Sequence, residues 1–252
     1  MATLVNESDL LMGDRLAPLT SRMGFIEAGA RFAADQFARW QEGIKSGLGI
    51  SVEEREVQGD LEEVFLSLLP LRTIEFTKCL FIPTSGGWTA YLGNGYRGTD
   101  QGAVIYLARS LNCRTVWVVA KPHTLQGSGS PRQGRQGALI LEAYGPESTE
   151  HLSLIRQIRL QNDGGKWEFF LEGTPFPFEK TESYSSRRKT DRFTFDMLKQ
   201  YLRELDLRPF DADFYLPSSG GGAILVELSG KLPPAARDIP LDEARKLNGI
   251  ED

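Results

Sequence analysis

The sequence predicts an α+β fold, with a mainly antiparallel sheet and flanking helices in a single compact domain. Helical and strand-like segments follow one another in the order helices, strands, one helix, strands, helix, which is not the regular βαβα order of a parallel sheet. Two alternating segments are separated only by "NDGG", which predicts a β-hairpin. With 252 residues, the chain can bury a large core without disulfides or metals.

The first two predicted helices lie in the N-terminal third of the chain. Apolar residues recur at three- and four-residue steps between Phe25 and Ile44, which indicates an amphipathic helix. Asp60 opens "DLEEVFLSLLPL", where an N-cap residue, acidic residues in the first turn and a closing proline are typical of a short helix.

Two further helices are predicted from their caps. Thr99 or Asp100 can cap the segment "GAVIYLARSLN", and Asn112 can end it. Thr194 can cap "FDMLKQYLRELDL", whose leucines form one apolar stripe. A last helical turn or two is expected in "LDEARKLNG".

The strand predictions rest on β-branched and aromatic residues and on alternation. In the hairpin, the branches alternate so that Ile158 and Leu160 face the same side as Trp167 and Phe169. In "GWTAYLG" the alternate residues of one side are Trp, Ala and Leu. The predicted strands are "RTIEFTKCLFI", "GWTAYLG", "RTVWVVA", "ALILEAY", "IRQIRLQ", "KWEFFLE" and "AILVEL".

Changes in composition suggest three parts. Residues 1–24 are mixed and are expected to form a loose N-terminal segment. Residues 25–217 are expected to form the α+β domain. Because "SSGGG" resembles a flexible linker, residues 218–252 are expected to be a C-terminal extension with a short strand and a short helix.

Charge and hydropathy limit the compartment and the partners. The 29 basic and 34 acidic residues give a net charge of −5, which argues against nucleic-acid binding and suits a basic protein partner. No segment resembles a signal peptide or reaches the ~18 apolar residues of a membrane-spanning helix. We therefore expect a cytoplasmic protein with no membrane partner.

No metal or cofactor is predicted. Cys79 and Cys113 lie in apolar segments and are expected to be free, reduced thiols. The cysteines and the histidines, His123 and His151, lack the paired short spacing of zinc modules. The D-x-D of "PFDADFY" follows a helix, where aspartates serve as turn residues.

A glycine-rich loop, "GNGYRGTD", spans Gly93–Asp100 and contains the spacing G-x-G-x-x-G. The expected interpretation is a tight turn at Asn94-Gly95, because the preceding strand is not Val/Ile-rich and no carboxylate ends the next strand. The alternative is a phosphate-binding loop in an enzyme that acts on a nucleotide or another phosphate-bearing ligand. Its ligand-binding residues would be Asn94, Arg97, Asp100 and His123.

A second set of basic residues is an alternative candidate for phosphate binding. It consists of two runs, one in the loop "GSGSPRQGRQG" and one in "SSRRKTDR". A solvated charge run is the expected interpretation. Its members are Arg132, Arg135, Arg187, Arg188, Lys189 and Arg192.

The leading functional hypothesis is a non-enzymatic protein-binding module. The chain carries no complete catalytic signature, and aromatic residues in non-repetitive segments are favoured binding anchors. In overall composition it is similar to bacterial immunity proteins and antitoxin-like factors, which neutralise a partner protein. The expected partner-binding residues are Phe176, Phe178, Phe210, Phe214 and Tyr215.

Overall fold

The structure is a computed structural model that describes residues 5–74, 76–126, 133–148, 151–217, 222–230 and 234–250. In these ranges a large antiparallel sheet and five α-helices confirm the predicted α+β class. The helices are α1 (Ala30–Lys45), α2 (Leu61–Leu66), α3 (Gly102–Ser110), α4 (Phe195–Arg203) and α5 (Leu241–Leu247). The strands are β1 (Arg22–Ile26), β2 (Ile50–Val57), β3 (Leu71–Arg72), β4 (Lys78–Pro83), β5 (Thr89–Gly93), β6 (Thr115–Lys121), β7 (Ala138–Tyr144), β8 (Leu154–Asp163), β9 (Lys166–Gly173), β10 (Ala223–Gly230) and β11 (Asp238–Ile239).

The main sheet has nine strands in the order β2-β10-β4-β5-β1-β6-β7-β8-β9, and all neighbours are antiparallel. β3 and β11 form a separate two-stranded sheet. Successive side chains of a strand point to opposite faces, so the sheet separates two hydrophobic cores. α2 and α4 bury apolar residues in one core, and α1 and α3 do so in the other.

Several local predictions are confirmed because they depend on short-range chemistry. The Asp60 carboxylate accepts a hydrogen bond from Glu63 N, and the Glu63 carboxylate accepts one from Asp60 N, which completes a capping box at α2. Thr194 caps α4 by accepting from Met197 N at 3.3 Å. β8 and β9 form the predicted hairpin.

The start of the first helix corrects a prediction. Phe25, taken as the beginning of the helix, lies in β1, and α1 begins at Ala30. β1 lies between β5 and β6, and both of its faces are buried because Met23 and Phe25 enter the first core and Ile26 enters the second. The apolar residues of a strand buried on both faces do not alternate, and here they run on into the helical pattern.

Residues 5–24 pack on the domain, whereas the whole segment 1–24 was expected to be loose. Residues 5–21 form short 3₁₀ turns that bury apolar side chains in the first core. Asp14 Oδ2 lies 2.6 Å from Arg135 Nη2, and both side chains are 4% exposed. The buried apolar residues are Val5, Leu10, Leu11, Leu16, Ala17 and Leu19.

The predicted C-terminal extension also belongs to the domain. β10 lies inside the main sheet, where Leu225 is opposite Leu80 of β4 and Arg55 of β2. Residues Ala223–Val226 are all buried, as expected for a strand that is covered on both faces. Deleting the region after residue 217 would therefore remove a strand from within the sheet.

No helix in the described ranges is long and apolar enough to cross a lipid bilayer.

A buried ion pair fixes the connection between β9 and α4 to the sheet. Arg156 of β8 donates to both carboxylate oxygens of Glu179, at 2.9 and 2.8 Å. Their side chains are 3% and 0% exposed. Glu179 also accepts from Phe176 N and from the Tyr184 hydroxyl. This carboxylate is thus supported by several donors, and removing its cation would leave a charge buried without a counter-ion.

We predict that Arg156→Met lowers the free energy of unfolding by about 3–5 kcal/mol, because Glu179 would remain buried without its cation. Urea denaturation monitored by circular dichroism measures the change. The matched control is Arg188→Met, since Arg188 is exposed and lies 3.8 Å from Asp191. Its loss is expected to cost less than about 0.5 kcal/mol. Equal midpoints for the two variants would contradict the structural role of the pair.

Candidate functional site

The glycine-rich loop does not have the structure of a phosphate-binding loop. The amide of Asn94 donates to Lys78 O at 3.0 Å, and that of Tyr96 donates to Arg72 O at 2.9 Å. Gly98 N donates to Gly95 O at 2.8 Å, so the turn spans Gly95–Gly98 rather than Asn94-Gly95. These amides are engaged within the protein and are not available to bind an anion.

The N-terminus of α3, which follows this loop, is already occupied by a carboxylate. Asp100 Oδ1 accepts from Gly102 N at 2.7 Å. The N-cap position of α3 is Gln101 and not Thr99 or Asp100 as predicted, but the Asp100 carboxylate places a negative charge where a dinucleotide fold would hold its pyrophosphate. Asp100 itself is exposed.

Asn94 is a structural residue. Its side chain is buried, and Oδ1 accepts from Thr77 N at 3.0 Å and from Lys78 N at 3.1 Å. Its Nδ2 donates to Pro70 O at 3.1 Å. Because both ends of the amide are used to join the loop to β4, Asn94 is not a ligand-binding side chain.

His123 supports a wall of the cavity described below. Its Nδ1 accepts from Gly137 N at 3.2 Å, and its ring centroid lies 5.0 Å from that of Trp167. Burial lowers the pKa of the imidazole, which favours the neutral form that can accept this hydrogen bond. His123 therefore positions Gly137, which lines the cavity, whereas His123 does not.

The aromatic residues expected to bind a partner are packed against the first core. Phe214 and Tyr215 are 1% and 4% exposed, which corrects their assignment as surface anchors. Phe176 and Phe178 stack on each other with centroids 5.1 Å apart, and both are partly buried against the first core. Phe210 is partly buried in the same way. Their apolar surface is used within the fold.

The other polar groups considered in the sequence have partners within the protein. Arg208 Nη1 lies 3.5 Å from Asp211 and 3.1 Å from Asp213, so a guanidinium already neutralises the D-x-D pair. Arg135 is buried and contacts Asp14, so it is not part of an exposed basic patch. Arg132 of the same loop lies outside the described residues.

The cysteines are free thiols in the structure, as predicted. Cys79 is buried, with Sγ 3.4 Å from the Tyr91 hydroxyl, and burial raises the pKa of its thiol to about 12. Burial likewise raises the pKa of Cys113 to about 11. Because the thiolate is the reactive form, neither cysteine is suited to nucleophilic chemistry at neutral pH.

One face of the sheet is only partly covered by helices. Among the described elements, α1 packs on β2, β10, β4 and β5, and α3 packs on β1 and β6. The same face of β7, β8 and β9 continues beyond these helices. It carries polar side chains where the covered part carries apolar ones, and the exposed Phe170 lies at its edge strand.

A cavity of about 170 Å³ lies on this face, where β1, β6, β7 and β8 meet. Strand register explains the composition of its walls. Arg22 of β1 is opposite Val119 of β6, and Lys121, two residues further, is opposite Ala138 of β7. The lining residues are Arg22, Trp117, Val119, Lys121, Gln136, Gly137, Ala138, Ile140, Gln161 and Asn162.

Neither cation of the cavity has an ion-pair partner among the described residues. Within the described residues, the side chains of Arg22 and Lys121 make neither an ion pair nor a hydrogen bond. Arg22 Nε and Trp117 Nε1 are buried donors without an acceptor. Burying charges and donors without partners is unfavourable, and an anionic ligand would supply what is missing.

The electrostatic environment of Lys121 follows from this arrangement. Burial, together with the positive charges of Arg22, Arg135 and Arg97, lowers the pKa of the Lys121 ammonium from its ordinary 10.5 to about 7. Burial and Arg97 also lower the pKa of Arg22, and Asp100 opposes this change. Arg97 and Asp100, the two charged residues predicted at the glycine-rich loop, thus act on the cavity through its two cations.

The nearest buried carboxylate on this face is already neutralised. Glu142 of β7 is opposite Trp117 and has a side chain that is 0% exposed. It accepts hydrogen bonds from Gln157 at 2.6 Å and from Arg159 at 2.7 Å. The Tyr144 hydroxyl donates to it at 2.6 Å, and Gln101 does so as well. Glu142 is therefore not the missing counter-ion of Arg22 and Lys121.

No sequence motif identifies Arg22 or Lys121 as site residues. Arg22 falls in the segment expected to be loose, and Lys121 ends a predicted strand. One signal was present: within "TVWVVAK", Trp117, Val119 and Lys121 alternate, so one face of the strand ends in a cation. That Arg22 joins them depends on the pairing of β1 with β6, which the sequence does not reveal.

Comparison with known proteins identifies no relative: no family model, no curated protein and no solved structure matches the chain. The chemistry of the cavity is therefore the basis for assigning a function to the chain.

We predict that Lys121→Met raises the free energy of unfolding of the unliganded protein, and that this gain over the wild type decreases as pH rises. Because the pKa of Lys121 is lower in the folded state, the unfolded chain binds more protons between pH 7 and 10.5, and wild-type stability gains with rising pH in that window. Methionine removes this dependence. Urea denaturation measures the free energy of unfolding of both proteins at about pH 6.5 and about pH 9. The gain of the variant over the wild type should be smaller at the higher pH by on the order of 1–2 kcal/mol.

The control for this measurement is Lys166→Met, at the exposed turn between β8 and β9. Its effect on the free energy of unfolding is expected to be small and the same at both pH values. If Lys121→Met were destabilising to the same extent at both pH values, Lys121 would not be the desolvated cation described here.

Proposed function

We propose that the protein binds a small anionic molecule, carrying a carboxylate or a phosphate, in the cavity between β1, β6, β7 and β8. The observation that supports this most directly is that Arg22 and Lys121 line one cavity and that neither makes an ion pair or a side-chain hydrogen bond within the described protein. Both residues are partly buried, and two like charges are rarely placed together in this way unless a ligand or a partner compensates them.

The size and lining of the cavity narrow the ligand. Its volume of about 170 Å³ is below the roughly 300–1,000 Å³ typical of sites for drug-sized molecules. A small metabolite fits this volume better than a nucleotide. Val119 and Ile140 offer apolar surface to a short carbon skeleton, and the indole N–H of Trp117 offers a neutral donor.

The proposed site modifies the earlier phosphate hypothesis. The main-chain amides of Asn94, Tyr96 and Gly98 are engaged within the protein, so we propose that side chains rather than the loop hold the anion. Arg97 is exposed, with its guanidinium carbon 5.1 Å from the Tyr96 ring centroid. We assign Arg97 to attraction of the ligand towards the cavity and not to direct contact.

The protein-binding hypothesis, including a role of the bacterial immunity or antitoxin type, loses its main support. It depended on exposed aromatic anchors, and Phe214 and Tyr215 are core residues. Hot-spot residues contribute to binding when their apolar surface is free to be buried by a partner. We therefore rank small-anion binding above it.

We predict that sulfate and acetate bind the purified protein and that Arg22→Gln weakens binding about tenfold or more, because a charged hydrogen bond is worth about 1.5–3 kcal/mol. Isothermal titration calorimetry against chloride buffer of equal ionic strength measures the affinity. Sulfate does not titrate near neutrality, so its affinity should fall as pH rises above about 7, where Lys121 loses its proton.

The matched control is Arg39→Gln, on the exposed side of α1. This variant loses the same charge and should bind sulfate as the wild type does. Sulfate also stabilises proteins without binding them, so the comparison must use the heat of binding and not only the melting temperature. Wild-type protein that binds neither anion, or equal affinities for Arg22→Gln and Arg39→Gln, would contradict the proposal.

A further inference from the structure

Arg22 and Lys121 are placed so that one small molecule can contact both. Their strands are direct neighbours, and the two residues are offset by two positions on the same face, because Arg22 is opposite Val119. Such diagonal neighbours have backbones roughly 7–8 Å apart, within reach of two long side chains. Both side chains line the same cavity.

The amine of Lys121 is available as a nucleophile. No described acceptor binds Nζ, and Lys121 lies opposite the apolar Ala138. With a pKa of about 7, roughly half of the amines carry a lone pair at neutral pH, whereas almost none would at the ordinary lysine value. Desolvation and neighbouring cations are the two conditions that activate lysines for attack on carbonyl groups.

We propose that Lys121 forms an imine with a small 2-oxo acid whose carboxylate is bound by Arg22, an inference that rests on the anion site proposed above. A 2-oxo acid carries its negative charge on the carbon next to the carbonyl group. The carboxylate can therefore contact Arg22 while the carbonyl carbon lies at Nζ, within a cavity of about 170 Å³. Larger oxo compounds do not fit as well.

The chemistry balances without an oxidant or a metal. The neutral Nζ adds to the carbonyl carbon and forms a C–N bond. The carbonyl oxygen then leaves as water with the two protons of the amine, and a C=N bond remains. The step is reversible, and the buried N–H of Trp117 is a donor for the ligand's oxygen atoms. Hydride from a mild reducing agent converts the imine into a stable secondary amine, which makes the adduct detectable.

The experiment is reductive trapping on the full-length chain. The protein is incubated with limiting pyruvate and sodium cyanoborohydride at neutral pH, digested and mapped by mass spectrometry. We expect the pyruvate adduct on Lys121 at about tenfold or more the level of any other lysine, since a charge-assisted contact contributes at least that factor. Because the lysines are compared within one digest, the result does not depend on the folding of a variant.

Two comparisons separate carboxylate recognition from general reactivity. Acetone lacks the carboxylate, so the preference for Lys121 over other lysines should fall about tenfold with acetone. Arg22→Gln should lower pyruvate labelling of Lys121 by a similar factor, and Lys166→Met should leave it unchanged. Labelling spread evenly over the lysines, or an unchanged rate in Arg22→Gln, would overturn the inference.

The anion titrations distinguish the two proposals. If sulfate and acetate bind with the expected dependence on Arg22 but pyruvate forms no adduct on Lys121, the imine inference is wrong and the anion site stands. If neither anion binds, the site is wrong and the imine inference fails with it.

Discussion

The coverage of the nine-stranded sheet determines where a ligand site can form. Strands lie about 4.8 Å apart, so nine of them span roughly 40 Å, whereas a helix with its side chains is about 10–12 Å wide. On the face of α1 and α3, the two helices pack on six of the nine strands, namely β2, β10, β4, β5, β1 and β6. The remaining strands, β7, β8 and β9, carry mostly polar side chains on this face, and the cavity lies at the border between the covered and the uncovered part. A concave, partly apolar surface is the expected result of such a border.

Within this architecture the charged groups that are buried or partly buried fall into two groups. Arg156 and Glu179 form a bidentate pair, and Glu142 is held by Arg159 and by neutral donors. These charged groups are paired with opposite charges or hydrogen-bond donors, and they hold loops and neighbouring strands together. Lys121 is not compensated, although the same sheet provides carboxylates elsewhere. The desolvation of Lys121 destabilises the unliganded protein, whereas the other charges are compensated. A ligand that pairs with Lys121 would recover this free energy on binding.

The sequence predicts those parts of the fold that depend on neighbouring residues. The capping box at Asp60, the cap at Thr194 and the hairpin of β8 and β9 all follow from residues within a few positions of one another. The position of β10 depends on pairing with strands more than 140 residues away, since Leu225 lies opposite Leu80. The candidate site depends on four strands at once. Local patterns place Lys121 on a face, but only the register of β1 against β6 brings it to Arg22.

The glycine-rich loop contributes to the site through packing. Gly98 has φ of 95°, and a Cβ there would lie 2.8 Å from Pro18 O and 3.3 Å from Arg22 Cβ. Only a residue without a side chain allows the loop to pass this close to β1. The loop thereby covers the base of Arg22 and holds Arg97 and Asp100 where their opposite charges act on the same guanidinium. Close approach of two backbone segments thus explains Gly98, the last glycine of the G-x-G-x-x-G spacing, without a bound phosphate. At the cavity, the positive charge of Arg97 and the negative charge of Asp100 act on Arg22 in opposite directions.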